Sequence, residues 1–378
     1  MIGQTLAIFH DAYRELNARK MFWIVLFLSG FVVLAFAAVG INDKGVTILG
    51  WEFDFPINTK ILPRETFYKA MFTSLGVGFW LTWIATVLAL ISTAGIFPDF
   101  VSGGSIDLFL SKPISRLRLF LTKYAAGLLF VTLQVTIFSA ASFLVIGIRG
   151  GAWLPGLFLA VPVVVCFFSY LFAVCVLVGV LTRSTVAALL LTILFWFGIL
   201  GVHVTELLVL KESVKRQQQA AQLDKSVARA ERELKAHDDT EAASPNADPA
   251  AAALRRQAVE QRLQSARDRR AAVHDAFAPW HRMFLGVKTV LPKTSETVEL
   301  LNRWLKVAAD LPEPEPAEEE FGDNGPDLFG RRAAERAADE EVARRVTTRS
   351  VAWVLGTSLA FEAVVLAVAA WVFCRRDY

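Results

Sequence analysis

Six long apolar runs constrain the fold of this 378-residue chain more than any other feature of its sequence. A bilayer core about 30 Å thick needs about 20 apolar residues in a helix, and each run is close to that length. The first run also exceeds the 7–15 apolar residues of a cleaved signal peptide. We therefore predict an all-α integral membrane protein with six transmembrane helices, over Met21–Gly40, Met71–Ile96, Tyr124–Ile148, Leu157–Leu181, Thr185–Val204 and Val351–Cys374.

The charged residues are concentrated in one segment. Residues 205–350 hold 24 of the 39 Lys and Arg and 26 of the 36 Asp and Glu, whereas 54% of the whole chain is hydrophobic. The net charge of +3 is therefore an average over apolar segments and one highly charged segment. The sequence has no basic cluster with interleaved aromatic residues. We expect no nucleic-acid partner.

The short loops predict the orientation. Cytoplasmic loops are rich in Lys and Arg, and one set of basic residues near the spans falls on one face if both termini are cytoplasmic: Arg14, Arg19, Lys20, Lys112, Arg116, Arg118, Lys123, Arg183, Arg375 and Arg376. The loop of 41–70 carries four basic residues on the other face, together with four acids. Residues 205–350 then lie outside, as a large insertion between the fifth and sixth spans.

Residues 1–20 are predicted to form a separate amphipathic helix. Leu6, Phe9, Tyr13 and Leu16 recur at helical spacing, with charged residues on the other side. Such a helix can lie in the membrane interface. The alternative is a plain extension of the first span.

The insertion predicts a helical hairpin over about 205–278. Good helix formers fill Lys211–His237, and Asp248 followed by Pro249 is typical of the start of a second helix. We expect Pro279 to end that helix. The apolar seam between the two helices is weak. On the first helix its heptad register changes between one set of residues, Leu207, Leu210 and Val214, and a second set, Leu223, Val227 and Leu234. On the second helix we assign the seam to Leu254, Leu263, Val273 and Phe277. The hairpin is thus a marginal coiled coil that needs a partner.

Two further segments precede the last span. Glu296–Ala308 has an apolar face of Val298, Leu301 and Leu305, and Thr294 or Ser295 is the expected cap. Residues 311–330 contain four prolines and seven acids, which is typical of a linker that does not fold alone. A charged helix from about Arg331 then leads into the sixth span.

The sequence carries no known catalytic signature. It contains no phosphate-binding G-x-x-x-x-G-K-[ST] loop, no H-E-x-x-H and no G-x-S-x-G. The five histidines are scattered, the three cysteines lie in apolar segments, and we predict no metal site, no disulfide and no cofactor bound by this chain. We expect a subunit that is not an enzyme.

Glu362 lies near the middle of the sixth span. A carboxylate at that depth is costly, and such residues usually face the bundle interior and often have a function. The alternative is a structural role through a hydrogen bond to another helix, for which Gln134 of the third span is a candidate.

The loop of 97–123, between the second and third spans, is the most informative stretch. It runs Phe-Pro-Asp-Phe-Val-Ser-Gly-Gly-Ser-Ile-Asp-Leu-Phe-Leu-Ser-Lys-Pro-Ile-Ser-Arg from 97 to 116, an amphipathic helix pattern stopped by Pro113. A small-residue pair, an acidic-hydrophobic helix and then Leu-Ser-x-Pro-x-Ser-Arg resembles the membrane subunit of ABC-2 type transporters, in the branch of the nitrous-oxide-reductase maturation permease. At the position where that family often has a glutamate this chain has Phe100, with Asp99 adjacent.

The resemblance implies a permease that works with a separate ATP-hydrolysing subunit on the cytoplasmic face, usually two of each, in the inner membrane of a bacterium. ATP would bind to the partner and not to this chain. The residues implied to couple the two subunits are Asp99, Gly104, Asp107, Leu110, Ser111, Lys112, Pro113 and Arg116. A second permease copy and an extracytoplasmic partner at 205–350 complete the expected assembly.

Three alternatives stay open. The loop of 97–123 is also consistent with a plain basic loop carrying an interfacial helix. The chain as a whole is consistent with a membrane-anchored scaffold or sensor that acts through its outside coiled coil. An ion-coupled carrier is the third alternative, and it would depend on Glu362.

Overall fold

Six helices are long and apolar enough to cross a membrane, in agreement with the six predicted runs. The computed structural model describes residues 20–54, 59, 61–102, 115–243, 249–273, 277–311 and 331–376. The six helical stretches are Lys20–Ala38, Arg64–Val101, Arg116–Gly150, Pro155–Thr182, Thr185–Ala236 and Ala352–Arg375. The predicted interfacial helix of 1–20, apart from Lys20, and the linker of 312–330 lie outside the described residues.

The described α-helices are α1 (Lys20–Ala38), α2 (Arg64–Met71), α3 (Thr86–Thr93), α4 (Ile96–Ser102), α5 (Arg116–Val145), α6 (Ala160–Thr182), α7 (Thr185–Ala243), α8 (Pro249–Ala272), α9 (Ala278–Val290), α10 (Thr294–Ala308), α11 (Arg331–Thr347) and α12 (Thr357–Arg375). Three stretches have π-helical geometry, Phe72–Ala85, Ile146–Gly150 and Ala352–Gly356, and Pro155–Leu159 is a 3₁₀ helix. The chain divides into two compact units. The first contains Met1–Leu200, Thr289–Glu320 and Ser350–Tyr378, and the second contains Gly201–Lys288 and Phe321–Arg349.

A small antiparallel sheet, which the all-α prediction missed, lies in the first unit. It joins β1 (Val39–Ile41), β2 (Gly45–Ile48) and β3 (Trp51–Asp54) in that order. Leu49 and Gly50 connect β2 to β3 with φ values of 53° and 91°. A two-residue hairpin loop with positive φ at both positions matches the twist of the strands, and glycine adopts that geometry without strain.

The core of the first unit is centred on α6, the most buried of the six membrane-length helices. Its aromatic residues Phe167, Phe168 and Phe172 are almost fully buried, and α6 packs against α5 and α12. By contrast, α1 exposes Phe27, Phe31 and Leu34, which is the surface that a bilayer would cover.

Helix α10 packs within the first unit, although the sequence analysis assigned it to the outside insertion. It contacts α6, the Phe72–Ala85 segment and the 3₁₀ helix. The predicted apolar face is confirmed for Leu301 and Leu305, which are buried together with Leu300. The predicted cap is wrong: the helix begins at Thr294, and Lys293 occupies the capping position without a side-chain cap.

Lys293 fixes the start of α10 to the last membrane-length helix. Its ammonium group is buried, donates to the hydroxyl of Thr357 and lies 4.5 Å from the centre of the Trp353 ring. Its backbone amide donates to the Ser358 hydroxyl at 2.9 Å. A buried ammonium needs such partners because desolvation of a charge is costly.

The second unit contains the predicted hairpin. Helices α7 and α8 are antiparallel, because residues later in α8 pair with residues earlier in α7: Arg256 with Asp238 (3.7 Å), Arg267 with Glu231 (2.8 Å) and Arg270 with Asp224 (2.5 Å). Pro249 opens α8 as predicted, whereas the proposed cap Asp248 lies outside the described residues.

Two details of the hairpin prediction are wrong. Helix α8 ends at Ala272, before Phe277, and Pro279 lies in the first turn of the next helix, α9, which the sequence analysis missed. Proline is well accommodated there because the first amides of a helix have no intrahelical acceptor. Leu254, assigned to the seam, is 68% exposed.

The lapse of the seam on α7 has a structural reason. Leu210 and Val214 pack against Ala338 and Val346 of α11, a different helix from the one that pairs with the rest of α7. Ion pairs from Lys211 to Asp339 flank this contact. One helix that serves two partners in turn has two registers, which is why a single heptad does not describe it.

Candidate functional site

The loop of 97–123 is described at its two ends. Asp99 lies in α4 and Arg116 begins α5. The other six predicted coupling residues lie outside the described part of the chain: Gly104, Asp107, Leu110, Ser111, Lys112 and Pro113. The geometry below therefore concerns the stem of the loop.

Arg116 binds the end of the last helix. Ser115 caps α5 by accepting a hydrogen bond from the Arg118 amide, which places Arg116 in the first turn. Its Nη1 donates to the carbonyl oxygens of Arg376 (2.7 Å) and Cys374 (3.2 Å). Carbonyls at a helix C-terminus lack intrahelical partners and carry partial negative charge, so a guanidinium is a favourable ligand for them.

Arg376 makes the equivalent contact to another helix. Its Nη1 donates to the carbonyl oxygens of Val180 (2.5 Å) and Leu181 (3.1 Å) near the end of α6. The two arginines act in series, so that the start of α5 is connected to the end of α12 and the end of α12 to that of α6.

Asp99, on the other side of the stem, connects the loop to the start of α7. Its Oδ1 accepts a hydrogen bond of 3.3 Å from the Thr185 hydroxyl at the start of α7. Next to it, Pro98 lies so close to α6 that a Cβ on Gly179 would be 3.1 Å from the Pro98 ring. We call Asp99, Arg116, Thr185 and Arg376 the helix-end cluster; all four belong to the first unit.

An aromatic layer lies beside the cluster. Phe97 packs on Phe120 and Phe120 packs on Phe373, with centroid distances of 5.0 Å and 5.7 Å. The buried ammonium of Lys123 lies 5.1 Å from the centre of the Phe100 ring, a cation–π contact. Phe100 is itself buried within the bundle.

Three of the basic residues used to predict the orientation, Arg116, Arg183 and Arg376, lie at the same end of the helices of the first unit. Arg116 touches the end of α12, Arg376 touches the end of α6, and Arg183 is the residue that terminates α6. The loop charge pattern therefore marks one common end of the bundle.

Glu362 is held by two other helices. Its Oε1 accepts a hydrogen bond of 2.8 Å from the Tyr124 hydroxyl of α5, and its Oε2 lies 2.7 Å from the Ser169 hydroxyl of α6. The side chain is only 8% exposed. The suggested partner Gln134 does not contact it, and the Gln134 amide nitrogen has no hydrogen-bond partner among the described residues.

The hydroxyl groups around Glu362 have fewer protons than there are possible hydrogen bonds. Tyr124 also approaches the Ser169 carbonyl (3.2 Å), and Ser169 also approaches the Cys166 carbonyl (2.8 Å). Each hydroxyl has one proton, so two protons serve four acceptor contacts. An amide N–H at position 362 would supply a third donor, directed at the Ser169 oxygen.

Tyr170 extends this network to α10. Its hydroxyl lies 3.1 Å from the Cys166 sulfur, and the side chain lies near Thr297. Thr297 is fully buried and donates to the Lys293 carbonyl at 2.8 Å. Polar contacts thus run from the first turn of α10 into the region of Glu362.

A second buried acid, which the sequence analysis missed, organises the second unit. The carboxylate of Glu206, just beyond the fifth apolar run, contacts Lys288 (2.9 Å), Arg349 (2.5 Å) and His281 (3.2 Å). Lys288 also lies 2.8 Å from His203. This network joins the start of the insertion in α7 to α9 and to Arg349, two residues beyond the end of α11. The only sequence feature that could have indicated a role for Glu206 is its position directly after the fifth apolar run.

Comparison of the chain with protein-family models, with curated proteins and with solved structures gave no match. The functional argument therefore depends on the chain's own residues.

The helix-end cluster can act mechanically. A displacement of the loop stem would reach α6 and α12 through the two arginines and α7 through Asp99. Glu362 connects α5, α6 and α12 a second time, deeper in the bundle. Two levels of contact between the same helices favour their movement as one body, because each contact resists a different relative rotation.

Proposed function

We propose that the chain is the permease subunit of an ABC-2 type ATP-driven transporter. It would work as a homodimer with two copies of a separate ATPase, in the inner membrane of a bacterium, with both termini in the cytoplasm. The observation that carries the proposal is the helix-end cluster, because it lies at the stem of the loop whose motif resembles the ATPase-facing loop of that family.

The mechanism follows from the contacts. ATP-driven closing of the partner would push on the loop around Asp107–Pro113, and the stem would pass that displacement through Arg116 and Asp99 to the ends of α6, α7 and α12. The Glu362 contacts would keep these helices together while they tilt. The energy source lies in the partner, so this chain needs only a loop that is firmly attached to its bundle.

The insertion has a separate role in the proposal. Its helices would extend into the extracytoplasmic space and contact a partner there. The alternative function, a membrane-anchored scaffold or sensor, is favoured by one observation, namely that the second unit has its own buried contacts around Leu210 and Glu206. Both functions use the insertion, and only the transporter requires an ATPase.

Affinity purification in mild detergent tests the proposal. The tagged chain is purified from its native membranes, its partners are identified by mass spectrometry, and ATP hydrolysis is measured. We expect a stoichiometric ATP-binding protein that is lost in the Asp107→Asn/Pro113→Ala variant. The Trp51→Ala variant, altered in an exposed residue of the small sheet, is the matched control and should retain it. Recovery of the wild-type chain without an ATPase would favour the scaffold.

The carrier alternative has its own test. An ion-coupled carrier predicts that Glu362→Gln abolishes activity while loss of the ATPase has no effect. The transporter predicts the reverse, because an amide at position 362 can keep both contacts to Tyr124 and Ser169.

A further inference from the structure

Helix α8 carries two rows of arginine, and the structure supplies an acidic row for only one of them. The helix contains six arginines against Glu260 and Asp268. The first set, Arg256, Arg267 and Arg270, forms ion pairs with α7. The acids on α7 that receive them, Asp224, Glu231 and Asp238, are spaced seven residues apart and so lie along one stripe of that helix.

The second set is Arg255, Arg262 and Arg269, again spaced seven residues apart. At about 1.5 Å per residue the three side chains form a straight row about 21 Å long. All three are exposed. Within the described part of the chain Arg255 and Arg262 form no ion pair, and Arg269 donates only to the Ser265 carbonyl of its own helix.

The position of this row relative to the hairpin seam is informative. Leu263 and Ala266 are the buried residues among the described side chains of α8, so Arg262 and Arg269 lie immediately beside the seam, on the flank opposite Arg267. On α7 the corresponding flank presents Gln219, Ser226 and Glu233, which offers one acid to three arginines. The hairpin is therefore charge-matched on one flank and strongly basic on the other.

From this asymmetry we infer that the basic flank of α8 binds an acidic helix of a partner protein, with carboxylates at seven-residue spacing. The partner would lie in the groove between α7 and α8 as a third helix. Charges beside the seam of a coiled coil determine which helix pairs with which, and α7 shows what an acidic row at this spacing does on the other flank.

A second copy of the chain fits this flank less well. Among the described helices of the second unit, the acids at seven-residue spacing are Asp224, Glu231 and Asp238, and these are already bound within the hairpin. The inference extends the proposed extracytoplasmic partner by giving it a chemistry, and it does not depend on the ATPase.

Peptide binding to the full chain in nanodiscs of neutral lipid provides the test. The probe is a fluorescent 28-residue helical peptide with glutamate at every seventh position, and the control peptide has the same composition with glutamates five residues apart. We expect the first peptide to bind at least tenfold more tightly by fluorescence anisotropy, and we expect its binding to weaken as salt is raised.

The variants identify the surface. The triple substitution Arg255→Glu/Arg262→Glu/Arg269→Glu should weaken binding at least tenfold, whereas Lys225→Glu/Arg232→Glu/Lys235→Glu on α7, with the same charge change at exposed positions away from this flank, should not. If circular dichroism shows that the first triple is unfolded, the corresponding Arg→Gln triple replaces it.

Three results would overturn the inference. The first is equal binding of the two peptides, and the second is binding of neither. The third is an arginine-dependent attachment to phosphatidylglycerol vesicles instead of the peptide, which would assign the row to a lipid surface. Copurification of the ATPase, measured on the same preparations, reports on the transporter proposal separately.

Discussion

The Arg116 guanidinium lies 2.7 Å from the carbonyl oxygen of Arg376, although 260 positions separate the two residues. Arg116 leaves the loop that resembles an ATPase-facing element, and Arg376 ends the last membrane-length helix. In the proposed transporter, this contact would connect the loop that faces the ATPase with a helix that moves.

Arg116→Gln should uncouple the loop from the bundle. A hydrogen bond to a charged group contributes about 1.5–3 kcal/mol, and the substitution removes a charged donor that serves two carbonyls. We expect a lower thermal midpoint of the solubilised chain and slower ATP hydrolysis by the copurified partner, with the partner still bound. Arg375→Gln is the control, because Arg375 is exposed and lies over the ring of Trp371 in its own helix. Equal effects of the two substitutions would contradict the mechanical role.

Glu362 should tolerate an amide and not an alanine. In Glu362→Gln the carbonyl oxygen accepts from Tyr124 and the N–H group donates to Ser169, so we expect a stability loss of less than about 1 kcal/mol. In Glu362→Ala both hydroxyls lose the carboxylate and keep only the Ser169 and Cys166 carbonyls as acceptors, so we expect a larger loss, about 1–3 kcal/mol in total. Thermal unfolding of the two variants in one detergent measures the difference, and a larger loss in the glutamine variant would refute the hydrogen-bond scheme.

Glu206→Gln should loosen the insertion. Removing one partner of a buried ion pair costs about 3–5 kcal/mol because the other charge stays buried, and here Lys288 and Arg349 both lose their carboxylate. We expect faster tryptic cleavage within 201–288. Glu212→Gln is the control, since Glu212 pairs with Arg216 at a partly exposed site, where a pair contributes about 0–1 kcal/mol. Cleavage at wild-type rates in Glu206→Gln would show that the network is dispensable.

Gly156→Ala tests the position of α10. A Cβ at Gly156 would overlap the Cβ of Ala308, so α10 must shift to accept it, whereas a Cβ at Gly198 would meet nothing within 4 Å. Overpacking of this kind costs about 1–3 kcal/mol. We expect a lower thermal midpoint for Gly156→Ala and no decrease for Gly198→Ala. No difference between them would mean that α10 does not pack against the 3₁₀ helix.

The membrane-length helices could be predicted from sequence because hydropathy and length are local properties. The partner of Glu362 could not, because Gln134 and Tyr124 both lie on α5 and only the packing of three helices decides which of them faces position 362. The spacing along one helix shows only which residues share a face. The positions of the neighbouring helices decide which of those residues contacts Glu362.

The insertion shows the same limit in another form. A proline such as Pro279 can either follow the end of a helix or lie in the first turn of the next one. The structure of the flanking segments determines which of the two occurs. The weak seam at Leu210 and Val214 was read correctly as a change of register, but its cause is the docking of α11, which is more than 100 residues away in sequence. Helix α10 was also identified correctly as amphipathic, whereas its burial among the membrane-length helices depends on tertiary contacts.

The most direct test of the central claim is photocrosslinking in living cells from a photoreactive residue at position 107, in the loop, and from one at position 51, in the small sheet, as the matched control. The account predicts that position 107 crosslinks to an ATP-binding protein of the cytoplasm and that position 51 does not. A crosslink from position 107 to an extracytoplasmic protein, or from position 51 to the ATPase, would contradict the proposed orientation, and no ATPase crosslink from position 107 would contradict the proposed function.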